Sequence, residues 1–265
     1  MNLCESNKAI SKEVMDFMLN VRDVKEESIT DYLVWKWREL DKRLHFVNIR
    51  PFTRQKENTL TGADFELELW IIGKAFNFPL LFQAKKILED FDSYVAKLNY
   101  KGGTQDQLTR LIIYSKSRTP KLLPFYMFYI GKIDEKKAYA MCARNYIKES
   151  ALFIADALTV KEVADKKYGN RISKYDLLAK SNPFHCIFCC PLSNPLNYFQ
   201  YYFPKLYTEL GYDIPQQTPL PEYVSYLLNN GNDKIQNQKM ISLIKEYELS
   251  RIRNIAVYDL RETDI

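Results

Sequence analysis

The sequence predicts an α/β protein with an αβββαβ core, a mixed central sheet and a helical C-terminal extension. Three observations predict it. Asp64, Glu66 and Glu68 alternate with Phe65, Leu67 and Leu69, the period of a strand with two unlike faces. A second β-prone run, Phe78–Ile87, follows after Gly73-Lys74-Ala75-Phe76-Asn77, a loop of hairpin size. Helical-period segments stand on both sides, and β-prone Phe125–Ile130 closes the series.

In order, Ile10, Val14, Phe17, Met18 and Val21 predict a helix over 9–24. Ser28 and Asp31 have capping-box spacing, so the next helix is expected to start there and run to about Lys42, with Ile29, Leu33, Trp37 and Leu40 inward. Leu44–Ile49 reads as the first strand. The two central strands follow, with Gln83 and Lys85 sharing one face of the second. Thr104 is the expected cap of a helix over 105–116 that buries Leu108, Leu111 and Ile112. Ala151, Ile154, Ala155, Leu158, Val163 and Ala164 predict a helix over 149–167, and Phe184–Cys190 a strand. Helices are expected near 196–210, 222–229 and 236–248, with Ile255–Leu260 as a final strand. The chain reads as one domain, with the core over about 26–190 and the extension over about 191–265.

The 265 residues are 46% apolar and 14% aromatic, enough for a filled core. A net charge of +5 permits nucleic-acid binding without requiring it. No run of about 18 apolar residues predicts a membrane span. The first residues lack the basic and apolar parts of a signal peptide, so a cytoplasmic protein is expected. Five cysteines, an odd number with no secretion signal, are expected as reduced thiols. Cys186-Ile187-Phe188-Cys189 has too few further ligands nearby for a structural zinc. There is no G-x-x-x-x-G-K-[ST] loop for nucleotide binding.

Acidic groups at the head of one strand, beside a Gln-x-Lys pair on the next, suit metal-assisted phosphodiester hydrolysis. That chemistry needs oxygen ligands for a hard cation and a positive group beside the developing charge. Asp64, Gln83 and Lys85 supply these parts, and a glutamate upstream would complete them. Glu66, two residues after Asp64, is a further candidate oxygen, although Glu66 and Glu68 also suit an outward, solvated face. Gln107, at the start of the following helix, is a candidate contact to phosphate or to metal-bound water, or a plain surface amide. Lys86 points away from Lys85. The basic residues between Lys132 and Lys174, with Tyr139, Tyr146 and Tyr168, suit a phosphate backbone or a solvated surface alike. The Tyr198–Phe203 stretch suits core packing better than base stacking.

With these residues in place, the chain resembles the PD-(D/E)XK nuclease superfamily, in the Mrr-like form where Gln replaces an acid (D…QxK). More narrowly it is similar to an uncharacterised bacterial family of that superfamily. The shared features are Glu26-Glu27-Ser28-Ile29-Thr30, Phe52-Thr53-Arg54 with Glu57 and Gly62-Ala63-Asp64, Gln83-Ala84-Lys85, Gln107-Leu108, Pro124-Phe125-Tyr126 and Asn182-Pro183-Phe184-His185-Cys186. The resemblance implies a restriction-endonuclease-like core, dependence on Mg²⁺ or Mn²⁺, and hydrolysis of nucleic acid, with double-stranded DNA the expected substrate and restriction or anti-phage defence the usual setting; the residues do not separate DNA from RNA. It also implies roles: Asp64 as the main metal ligand, Gln83 as a second ligand or water orienter, Lys85 as the catalytic lysine. The upstream glutamate is assigned to Glu27, with Glu26 and Glu66 as alternatives. A homodimer or a defence-system partner protein fits that setting. The rival expectation is an inactive nucleic-acid-binding or protein-interaction module on the same fold, since Gln83 lowers the negative charge of the site.

Overall fold

The computed structural model describes residues 2–21, 23–40, 42–49, 65–87, 98, 101, 102, 105–131, 133, 134, 150–166, 173–189, 197–214, 219–230 and 238–263. Helices α1 (Leu3–Asn20) and α2 (Glu26–Leu40) come first. Strands β1 (Leu44–Asn48), β2 (Phe65–Ile72) and β3 (Asn77–Ile87) follow. The short strands β4 (Lys101–Gly102) and β5 (Gln105–Asp106) pair with each other and lead into α3 (Gln107–Ser117) and β6 (Leu123–Ile130). Then come β7 (Leu152–Asp156), α4 (Ala157–Lys166), α5 (Lys174–Leu178), β8 (Asn182–Pro183) and α6 (Cys186–Cys189). A π-turn at Tyr198–Tyr202 enters α7 (Phe203–Glu209), followed by α8 (Glu222–Asn230), α9 (Gln238–Glu246) and β9 (Ile252–Asp259).

Seven strands form one mixed sheet in the order β1-β9-β2-β3-β6-β7-β8. The β2–β9 and β3–β6 pairs are parallel, and the other neighbours are antiparallel. One face is covered by α1, α2, α6 and α7, the other by α3, α4, α5, α8 and α9. Covering both faces explains why β2, β6 and β7 are buried along their whole length.

The elements Leu44–Asn48, the β2–β3 hairpin, α3, β6 and the three C-terminal helices lie close to where the sequence predicts them. Four expectations change. The predicted helix over 149–167 is strand β7 followed by α4. Its Leu152-Phe153-Ile154-Ala155 run is buried on both sides, where helical and strand periods look alike. Asp156 ends the strand and caps α4, accepting from Thr159 N at 2.8 Å and Thr159 Oγ1 at 2.7 Å. The predicted strand over 184–190 is a turn at Phe184 and His185 that follows β8, and then α6. The final strand, expected over 255–260, is β9, and it is not part of a separate extension: it lies between β1 and β2, inside the sheet. Finally, α2 begins at Glu26, so Ser28 is an exposed residue within the helix and no Ser28–Asp31 box forms. Starting at the glutamates puts two negative charges on the positive end of the helix dipole.

The cysteines also differ from expectation. Cys4 on α1 and Cys189 on α6 form a disulfide, with Cα atoms 4.9 Å apart; Cys186 is free and buried. Cys142 and Cys190 lie outside the described residues. The pairing depends on α1 docking on α6, a contact between residues 185 apart in sequence. Cross-linking so long a loop restricts the unfolded chain, which is typically worth about 2–5 kcal/mol. Reduction with a phosphine, or Cys189→Ser, is expected to lower the urea-unfolding free energy by that amount. An unchanged midpoint in reductant would show that the bond contributes nothing to stability.

His185 is buried (1% exposed), and its Nδ1 is 3.5 Å from Ser150 Oγ. Burial, then the charge of Lys8, push its pKa down to about 4. The unfolded chain takes up this proton near pH 6.5, and the folded chain resists it until about pH 4. The contribution is therefore complete above pH 6.5 and lost as the pH falls towards 4, about 3 kcal/mol in all. Denaturant titrations at pH 7.5 and 4.5 should show a shallower loss for His185→Gln than for wild type. Equal losses would remove His185 as the cause.

Candidate active site

The β2–β3 ladder runs from Ile72 opposite Asn77 to Leu67 opposite Phe82. Beyond that pair, β2 stays on β9 back to Phe65, and β3 stays on β6 out to Ile87. The two central strands therefore part and form a fork. One prong carries Phe65 and Glu66; the other carries Gln83, Lys85 and Lys86.

A freed strand edge leaves backbone donors to be satisfied. Ile87 O accepts from Gly131 N at 3.1 Å, on the side of β6 and its continuation, so the Lys86 N–H points the other way, into the fork. There it donates to Glu26 Oε1 at 2.8 Å. Lys86 Nζ donates to Val24 O, just before the helix. Thr30 Oγ1 donates to Glu26 O at 3.1 Å and pairs with Tyr129 OH of β6 at 2.7 Å. The first turn of α2, with Glu26 and Glu27, is thus fastened to the sheet at the fork. Lys86, which the alternation turns away from Lys85, is an anchor for that turn.

The alternation expected for β2 breaks at its head. Phe65 stacks on Tyr114 of α3 at 4.8 Å, whereas Leu67, Leu69 and Ile71 pack in the layer of Ile29 and Trp37. Residues two apart in a regular strand share a face. Glu66 sits at the break, 7% exposed, and its carboxyl feels Glu27, Glu26 and Asp31 of α2. Burial above all, then these like charges, push its pKa up to about 7, against the pull of Arg253 on β9. β9 breaks in step, because Arg253 and its neighbour Asn254 both bond Asp31.

Glu66 and Glu68 are therefore not a solvated outward pair. Glu68 is fully buried and accepts from Trp70 Nε1 at 2.7 Å and Tyr223 OH at 2.5 Å, with Arg118 Nη2 4.0 Å away. Its role is to join β2 to α8.

Gln83 and Lys85 alternate with Phe82 and Ala84, which lie in the α1/α2 layer, so the pair faces the α3 side. Their register partners on β6 are Tyr126 and Phe128. Gln83 is 4% exposed; its Nε2 donates to Ala84 O at 3.3 Å, and its Oε1 has no donor. Gln107 opens α3 behind the Asp106 cap, and its Oε1 is likewise buried without a donor. Lys85 is half-buried. Asp64, the segment 51–63 and most of the basic stretch between Lys132 and Lys174 lie outside the described residues.

So the fold gathers Glu26, Glu27 and Glu66 on one side of the fork and sets Gln83, Lys85 and Gln107 at the same end of the sheet on the other. Buried oxygens without donors are rare and need a reason. Glu66 Oε2 and Gln83 Oε1 are two such atoms, one on each prong. Carboxylate and amide-carbonyl oxygens are hard donors of the kind that suits Mg²⁺ or Mn²⁺ rather than a soft metal. Among the described residues, no three His, Cys, Asp or Glu side chains alone form a metal-holding group. Sequence reasoning missed Asp31 and Arg253. Their signal was a charged residue after Ile252, just ahead of the apolar run Ile255–Tyr258.

Among the described residues no helix is long and apolar enough to cross a membrane. No curated protein and no solved structure matches the chain. A family model does match, over residues 3–261, from α1 through β9. The chain belongs to that family, a family of unknown function (DUF6615).

Proposed function

We propose that this chain is a Mg²⁺-dependent nuclease of the PD-(D/E)XK type that hydrolyses phosphodiester bonds of double-stranded DNA, in restriction or anti-phage defence. The observation that carries the reading is the β2–β3 fork, with donorless buried oxygens of Glu66 and Gln83 on its prongs and the acidic first turn of α2 fastened to it. A bound Mg²⁺ would supply Lewis-acid polarisation of the phosphate and a more acidic water. Asp64 and Glu27 offer carboxylate oxygens, with Glu26 and Glu66 as further acids, and Gln83 offers a neutral one. Glu26 is partly committed to the Lys86 N–H, which favours Glu27 as the freer of the two. Lys85 brings positive charge to the phosphate oxygens as negative charge develops there. Gln107 orients the phosphate or the attacking water.

The test is incubation with supercoiled and linear DNA, and with RNA, in Mg²⁺, Mn²⁺ or EDTA. Metal-dependent DNA cleavage that disappears in Asp64→Ala is expected. Salt-sensitive DNA binding without cleavage would replace the enzyme by a binding module. Neither binding nor cleavage would favour a protein-interaction role.

A further inference from the structure

Arg253 is a buried cation, 6% exposed, on the strand beside β2. Its guanidinium reaches two carboxylates and treats them unequally. Nε donates to Asp31 Oδ1 at 3.1 Å, and Nη2 bonds Asp31 Oδ2 at 2.5 Å, so the pair is bidentate. Asn254 Nδ2 also donates to Asp31 Oδ1, at 3.2 Å. Glu66 Oε2 lies 3.9 Å from the same Nε, too far for a hydrogen bond, and no other donor satisfies it. A buried carboxylate beside a guanidinium ordinarily closes on it. Here the Nε/Nη2 edge of the guanidinium, the one nearest Glu66, is already filled by Asp31.

We propose that Asp31 competes with Glu66 for Arg253, and by holding the guanidinium keeps Glu66 Oε2 open to a divalent cation; Asp31 and Arg253 are then positioning residues of the site. The inference rests on the metal-dependent reading above and names the device that keeps one of its acids available. Asp31 lies one helical turn beyond Glu27 on α2, and the first turn of that helix stays fastened to the sheet through Lys86 and Tyr129 when the clamp is removed. The cost is tolerable because Asp31 is partly exposed (37%) and remains solvated on its outer side.

The proposal makes two substitutions act in opposite directions. In Asp31→Asn the guanidinium loses its charged partner and closes on Glu66, which then competes with the cation. The Mn²⁺ concentration at half-saturation, read by electron paramagnetic resonance on metal-free protein, is expected to rise on the order of 10-fold, the worth of one charge-assisted hydrogen bond. In Arg253→Gln nothing competes for Glu66, and Mn²⁺ is expected to bind at least as tightly as in wild type. In a Glu66→Gln background, Asp31→Asn should cause no further shift. A purely structural clamp would loosen binding in both single variants, or shift it regardless of Glu66; either result overturns the proposal. If wild type binds Mn²⁺ but cleaves nothing, the nuclease reading fails while these shifts still decide the clamp. If wild type binds no Mn²⁺, both fail.

Discussion

Lys85→Ala is expected to lower metal-dependent DNA cleavage by about 10²–10³-fold, the usual effect of losing a preorganised positive or hydrogen-bonding group at a developing charge. Lys85 emerges from β3 where β2 has left it, beside Gln83 and opposite Phe128 of β6. It is half-buried, so its charge acts in a less screened medium than bulk water. Substrate binding should change less than turnover, because the ammonium is needed most when negative charge peaks. The β3–β6 backbone ladder beneath the side chain is kept in the variant. Single-turnover cleavage, a binding titration in Ca²⁺ and a thermal melt separate turnover, binding and stability. Cleavage that survives in both Lys85→Ala and Asp64→Ala would sink the site assignment.

Glu68→Ala is expected to destabilise the fold by about 3–5 kcal/mol, the cost of breaking a buried charged network by removing one member. The substitution strands the Trp70 indole N–H and the Tyr223 hydroxyl inside the protein and removes the negative charge beside Arg118, which keeps its bond to Tyr247 O. Burial, with the charge of Glu68 next, holds the Tyr223 hydroxyl well above its ordinary pKa, so it stays a donor. Glu68→Gln keeps an acceptor oxygen for both donors and should lose less. Urea unfolding of the two variants checks the ranking. If Glu68→Ala unfolds within about 1 kcal/mol of wild type, the network is not a structural one. Glu66→Gln, two residues away, is expected to act on metal binding, so the two glutamates separate by assay although strand alternation puts them on one face.

Much of the framework was legible in residues alone. The β2–β3 hairpin follows from two β-prone runs and a short loop with Gly73, and α3 and β6 follow from their periods, with Asp106 and not the expected Thr104 as the cap of α3. Gln83 and Lys85 were placed on one face because a strand's period is two, and the sheet keeps them there. Period failed where both sides of an element are buried. The run from Leu152 to Ala155 is apolar at every step, so a helical stripe could be drawn through a strand. It failed again at Glu66, where a break in alternation turns one carboxylate towards α2, and no local pattern in Asp64–Leu69 announces such a break.

The sequence by itself determined the α/β class, the order of the central elements and the residue types available for metal-assisted chemistry. These are local properties, written in hydrophobic period and side-chain chemistry. Only the tertiary structure decided that β9 sits beside β2, that Cys4 meets Cys189, and that Arg253 is held by Asp31 next to Glu66. Those pairings join residues roughly two hundred positions apart. Such contacts are fixed by how layers pack and where strands part, which no window of neighbouring residues contains.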